Sequence, residues 1–208
     1  MKEKTAFLFS DLHASNKGLE KIKQAVLGEK ADLLLFTGDI VNMGEPIWYA
    51  EKFIKMIDEL EIPLFWVPGN NDFGRAYYKV SAKYKTLEGK IVEMFGRTFT
   101  GVGGSPASWS GQYEGERSVD KKAIAGSIFL SHVPPPGIIN LSKFDDPRMM
   151  PERKFSDAPL VHICGHVHWK WGVGYLGQTK VIKLASSETG HYAILNLENL
   201  KVEFKELK

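Results

Sequence analysis

Residues 5–39 read TAFLFSDLHASNKGLEKIKQAVLGEKADLLLFTGD. Two short apolar runs, TAFLFS and DLLLFT, enclose a stretch with helical spacing. The first run is strand-like. Ser15 is placed to cap a helix from Asn16 to about Gly28, with Leu19, Ile22, Val26 and Leu27 on one face. The second run is apolar throughout, as expected of a strand buried on both faces. Each run ends in residues that can bind a metal: Asp11-Leu12-His13 after the first and Gly38-Asp39 after the second.

The same rhythm continues outward. Pro46 suits the first turn of a second helix through Leu60, carrying Trp48, Phe53, Ile57 and Leu60. PLFWV (63–67) is a third strand, and a third helix fits residues 74–84. The β-α-β-α-β order implies parallel strands joined by right-handed crossovers. Beyond residue 90, KIVEMFGRTFTGVGG reads as two strands turning at Gly96, and SIFLSH and PLVHICGH as further buried strands. WGVGYL, TKVIKLA, HYAILNL and KVEFKEL then follow as short strands. An α/β fold of two packed mixed sheets with helices outside accommodates both halves within a single domain, residues 1–208. The long irregular stretch 132–156, with three consecutive prolines, reads as a functional loop or a mobile one.

Five strand-like runs end in metal-ligand types: Asp11 and His13, Asp39, Asn70, His132, and His166 with His168. Ligand sites in open α/β sheets lie just outside the carboxyl ends of the strands, so these five ends predict one cluster. Glycines at 38, 69 and 165 let backbone pass close to it. Imidazole and carboxylate donors without thiolate suit a transition cation, manganese first, with iron, zinc or nickel as alternatives.

Composition narrows the classes. The 208 residues are 43% apolar, enough for one substantial core, and 27 Lys plus Arg nearly balance 25 Asp plus Glu. That balance is no nucleic-acid footprint. No apolar run reaches the ~18 residues of a membrane span, and the opening MKEKTAFLFSDLH is too short in its apolar part for a signal peptide. The sole cysteine, Cys164, reads as packing in a reducing compartment. The expectation is a cytoplasmic protein, with a symmetric dimer the default, and the Asn140-Leu141-Ser142 sequon is taken as chance.

The ordered series D-x-H, G-D, G-N-x-D, a lone His after a strand, and G-H-x-H resembles the calcineurin-like metallophosphoesterase family, nearest to its single-domain bacterial and archaeal members related to cyclic-nucleotide phosphodiesterases. The resemblance spans residues 11–168 and implies a four-layer α/β/β/α sandwich. By motif position it implies that Asp11, His13 and His168 hold one metal, that Asn70, His132 and His166 hold a second, and that Asp39 bridges them. Such a pair, about 3.5–4 Å apart, shares a hydroxide that attacks phosphorus. The implied substrate is a phosphate ester, a small molecule or nucleotide, with diesters favoured over monoesters.

The chain departs from that family at two positions. Asn71 stands where the family has a proton-donating His, and Asn42 where it has the Asp that orients that His. Asn cannot give up a proton near neutral pH. General acid catalysis contributes about 10²–10⁴-fold, or roughly 3–5 kcal/mol of barrier. The substrate then has a good leaving group or brings its own proton; the alternative is a catalytically weak, metal-bound scaffold that binds other proteins. Arg75 and Trp169 are the expected substrate contacts, with Trp109 a further candidate for a substrate wall; Arg148, Arg153 and Lys154 read as solvated charges ahead of an anion clamp. Asp72 reads as the cap of the third helix with a catalytic role as the alternative, Gly101–Ser105 as a strand-end turn lining the cleft, Trp66 as core, and His162 and His191 as structural histidines.

Overall fold

The computed structural model describes residues 3–43, 47–72, 74–104, 124–135 and 158–207. Pro46, Ser105, Trp109, Asn140, Arg148, Arg153 and Lys154 lie outside the described residues, as does the side chain of Arg75.

Two mixed sheets form the α/β sandwich. The first has the order β11-β10-β1-β2-β3, from β1 (Thr5–Phe9), β2 (Leu33–Phe36), β3 (Leu64–Trp66), β10 (His191–Asn196) and β11 (Val202–Glu206). β1, β2 and β3 run parallel, and β10 joins β1 antiparallel. The second has the order β4-β5-β6-β7-β9-β8, from β4 (Val92–Met94), β5 (Arg97–Val102), β6 (Ile128–Ser131), β7 (Val161–Cys164), β8 (Gly172–Leu176) and β9 (Thr179–Lys183). Its centre, β5-β6-β7-β9, is parallel. The closing strands therefore divide between the sheets.

Burial on both faces explains the unbroken apolar runs. Alternate side chains point to opposite faces: Phe7, Phe9, Leu34, Phe36 and Trp66 face helices, while Ala6, Leu8, Leu33, Leu35 and Val67 face the other sheet. There they meet Phe99, Ile128, Leu130, Val161, Ile163 and Ile182. Each such side chain contributes about 1.5–3 kcal/mol by leaving water.

The helices α1 (Asn16–Glu29), α2 (Ile47–Leu60) and α3 (Arg75–Lys83) cover the outer face of the first sheet. The fourth, helical layer expected from the resemblance is not among the described residues. Ser15 caps α1, its hydroxyl accepting from the Gly18 N–H at 3.0 Å. Two expected core residues are corrected. Leu27 is 59% exposed and Trp48 43% exposed. Each residue turns a helix by about 100°, so Leu27 rotates off the Leu19–Ile22–Val26 stripe. Tyr49, fully buried, takes the inward position next to Trp48, and its hydroxyl donates to the Ser15 carbonyl at 2.8 Å.

Candidate metal centre

Parallel strands bring their carboxyl ends to the same edge of each sheet. β1, β2 and β3 deliver Asp11 and His13, Asp39, and Asn70; β6 and β7 deliver His132, and His166 with His168. Backbone bonds lock the loops together: Asp11 N–H to Gly38 O at 2.9 Å, Leu12 N–H to Asp39 O at 2.8 Å, and Gly165 N–H to His132 O at 2.9 Å. The His166 N–H donates to Asp11 Oδ2 at 3.0 Å, tying the two sheets at the site. A side chain at Gly69 would meet Asp39 Oδ1 at 2.0 Å, and one at Gly165 would meet Ser10 Oγ at 1.9 Å. Asp11, His13, Asp39 and His166 all have φ between 46° and 68°. Non-glycine residues rarely hold that conformation, and strain of this kind clusters at functional sites.

All seven expected ligand residues converge. Asp11, His13 and His168 form one group and Asp39, His132 and His166 another, the donor atoms of each lying within 4.8 Å of one another. In the first, Asp11 Oδ1 is 3.6 Å from His13 Nε2 and 3.4 Å from His168 Nε2. In the second, His132 Nε2 is 3.3 Å from Asp39 Oδ2, 3.1 Å from His166 Nδ1 and 3.0 Å from Asn70 Oδ1. Asp39 Oδ2 also lies 3.7 Å from His13 Nε2, so this carboxylate faces both groups.

The donor set fits divalent cations. Buried Asp11 Oδ1 has no hydrogen-bond partner among the described residues. Thr37 O accepts from His132 Nδ1 at 2.8 Å, which turns the Nε2 lone pair of the neutral ring towards Asp39 and His166. Lone pairs and carboxylates aimed at one another need positive charge between them. In the protein alone, protons supply it. Burial works to raise the Asp11 carboxyl, but the His13 and His168 imidazoles overcome it and hold Asp11 well below the usual carboxylate range. Burial would likewise lower His132, yet Asp39 and Asp11 lift it to about 9. His166, buried and beside His132, falls to about 4.

The two asparagines are both engaged with this cluster. The Asn71 backbone N–H donates to Asp39 Oδ1 at 2.8 Å and its side-chain amide to Asp39 Oδ2 at 2.7 Å. Asn42 bonds His13 through both ends of its amide. Trp169, beside His168, is 65% exposed.

Asp72 is not the expected helix cap. Gly74 precedes α3 with no side-chain cap, while the buried Asp72 carboxylate accepts N–H bonds from Asp39 and Ile40 at 2.7 Å and Gly69 at 2.8 Å. It staples the two loops that carry Asp39 and Asn70. Burial, then the nearby Asp39 charge, pushes its carboxyl up to about 6. Gly104 N–H bonds Pro68 O at 2.8 Å, so the glycine turn after β5 braces the Asn70 loop.

His162 is buried against Phe129 with Nε2 2.7 Å from Ser131 Oγ, and His191 packs on Trp171; neither belongs to the two ligand groups. Three supports escaped the sequence reading. Fully buried Lys183 donates to the carbonyls of Val167 and Lys170, holding the segment around His168. Ser186 Oγ donates to Asp11 O at 2.8 Å, and Ser187 Oγ accepts from Ser10 N–H at 3.1 Å. None of the three left a local signal: Lys183 lies on the face of β9 opposite Ile182, where a charge is unremarkable in sequence.

The profile of the calcineurin-like phosphoesterases matches residues 5–170. The chain belongs to that family. An uncharacterized protein of Methanocaldococcus jannaschii is 27% identical over 168 residues, 73% of this chain and 76% of its own. A probable glycerophosphodiester phosphodiesterase of Arcobacter nitrofigilis is 26% identical over 204 residues, 86% of this chain and 71% of its own. A crystal structure of a Thermus thermophilus protein superposes with a TM-score of 0.76 at 19% identity, covering 100% of both chains. The family consists of metal-dependent hydrolases acting on phosphate esters. No helix among the described residues is long and apolar enough to cross a membrane.

Proposed function

We propose that this protein is a phosphodiesterase with a dinuclear metal centre that works without the family's usual proton-donating histidine. Asp11, His13 and His168 hold one cation, Asn70, His132 and His166 the other, and Asp39 is shared. The observation that carries this reading is the position of Asp39 Oδ2, 3.3 Å from His132 Nε2 and 3.7 Å from His13 Nε2. Divalent cations there, manganese first, supply acidified water as nucleophile and offset charge on the phosphoryl oxygens.

The protein's own residues prepare that chemistry. Asp39 is oriented by Asn71 through both of its oxygens. An amide committed in this way cannot protonate a leaving group. Turnover therefore depends on substrates whose leaving oxygen needs no proton, which supports activated diesters over alkyl monoesters. The resemblance to a probable glycerophosphodiester phosphodiesterase supports the diester half of this reading. Arg75 and Trp169, which follow the Asn70 and His168 positions in sequence, are taken as substrate contacts, and the protein acts in the cytoplasm, as a homodimer.

The test is hydrolysis by protein supplied with Mn²⁺, using bis(aryl) phosphate and an alkyl phosphate monoester side by side. Metal-dependent cleavage of the diester, at least about 100-fold faster than the monoester, is the expected result. Efficient monoester turnover overturns the missing-acid argument. Two bound metals with no hydrolysis of either ester points instead to a metal-bound scaffold.

A further inference from the structure

Asn42 occupies a position where the family's motif places an acid, and the structure turns it towards His13. Its Nδ2 donates to the His13 carbonyl at 3.1 Å, and its Oδ1 lies 3.0 Å from His13 Nδ1. A backbone carbonyl can only accept, so the amide nitrogen must face it. That leaves the amide oxygen for the ring. An oxygen that only accepts requires the proton on Nδ1. The neutral ring then carries its lone pair on Nε2, the atom nearest Asp11 Oδ1, Asp39 Oδ2 and His168 Nε2.

We infer that Asn42 is the positioning residue of the Asp11–His13–His168 site: its two hydrogen bonds hold the His13 backbone and select Nε2 as the atom offered to the metal. This rests on the two-metal reading above. A side chain of this length must donate at one end and accept at the other, and Asn does both at neutral pH, where an ionised Asp only accepts. Asp keeps the acceptor and loses the donor; Leu loses both. The backbone bond matters because His13 and Ala14 sit at φ 46° and 57°, a conformation that persists only when its surroundings hold it. The other group makes no hydrogen bond with Asn42 among the described residues and has its own tautomer-setting partner. His132 is set in the same tautomer by the Thr37 carbonyl, a backbone atom. Asn42 therefore acts on one site of the two.

The experiment is Mn²⁺ titration of metal-free protein by calorimetry and EPR, for wild type, Asn42→Leu and Asn42→Asp, with His13→Ala and His166→Ala marking loss of each site. Partners that orient a metal-bound histidine are worth about 10–100-fold in affinity. Asn42→Leu is expected to weaken one site by that factor, in the pattern of His13→Ala, leaving the other at wild-type affinity. Asn42→Asp falls between. Wild-type affinities at both sites in Asn42→Leu, or equal loss at both with an unchanged melting curve, overturn the inference. Failure of the two-metal reading shows separately, as wild-type protein that binds no Mn²⁺. The tautomer is then read alone, from long-range ¹H–¹⁵N correlations of His13 at a pH where the ring is neutral. Nδ1–H in wild type and its loss in Asn42→Leu keep the inference; the same pattern in both overturns it.

Discussion

Asp39 is engaged through both of its oxygens. One oxygen accepts the Asn71 N–H, and the other accepts the Asn71 amide while facing His132 and His13. Asn at this position keeps the shape, removes the charge, and sets one amide group against donors already committed to Asp39. Asp39→Asn should reduce bound manganese from two ions towards none and cut diester hydrolysis by at least about 100-fold. Elemental analysis of purified protein together with initial rates measures both. Retention of two ions with normal rates removes Asp39 from the bridging role. Asn71 serves the carboxylate it lies beside through both its backbone N–H and its side-chain amide.

At the scale of elements, the site is where loops after five parallel strands are pressed together. Gly165, at the end of β7, is a tight point between the sheets. A methyl group there would lie 1.9 Å from Ser10 Oγ and 2.6 Å from Asp11 Oδ2. Gly165→Ala must push β1's loop away from β7's and break the His166 N–H bond to Asp11. The expected cost is about 1–3 kcal/mol of stability from overpacking, with metal affinity falling more steeply than stability. Denaturant melts and Mn²⁺ titrations of the variant separate these effects. An unchanged affinity means that the loops have slack. α1 and α2 act at a distance: their buried faces hold β1 and β2 in register, and Ser15 and Tyr49 join the two helices beside the Asp11 loop.

For the whole molecule, both groups draw on both sheets. Asp11, His13 and Asp39 follow strands of the first, and His132, His166 and His168 follow strands of the second. Bound cations would therefore clamp the sandwich at one end. A ligand at 100 times its Kd stabilises the folded state by about 2.7 kcal/mol, which for a chain of this size shifts Tm by roughly 5–10 °C. Mn²⁺ should raise the melting temperature by that order, and a chelator should reverse it. Superimposable calorimetric traces with and without Mn²⁺ contradict the clamp.

The sequence alone determined the strands, the β-α-β order and the chemistry at the strand ends. These are local properties: apolar runs such as LLLF, the Ser15 cap, and Asp, His or Asn directly after a strand are written in consecutive residues. Once parallel pairing is granted, the strand ends must meet at one edge. The tertiary structure decided what depends on the rotation of an element or on a partner far along the chain. Leu27 and Trp48 missed the core because one helical residue is a turn of about 100°. Asp72 proved to be a staple between loops, Lys183 a buried brace, and Ser186 and Ser187 holders of the Asp11 strand end, because the partners that give them these roles lie between 13 and 177 residues away. The partners of Asn42 and Asn71 belong to the same kind. An amide's hydrogen bonds are set by which donors and acceptors the packed loops bring within about 3 Å, and only folding puts His13 beside the one and Asp39 beside the other.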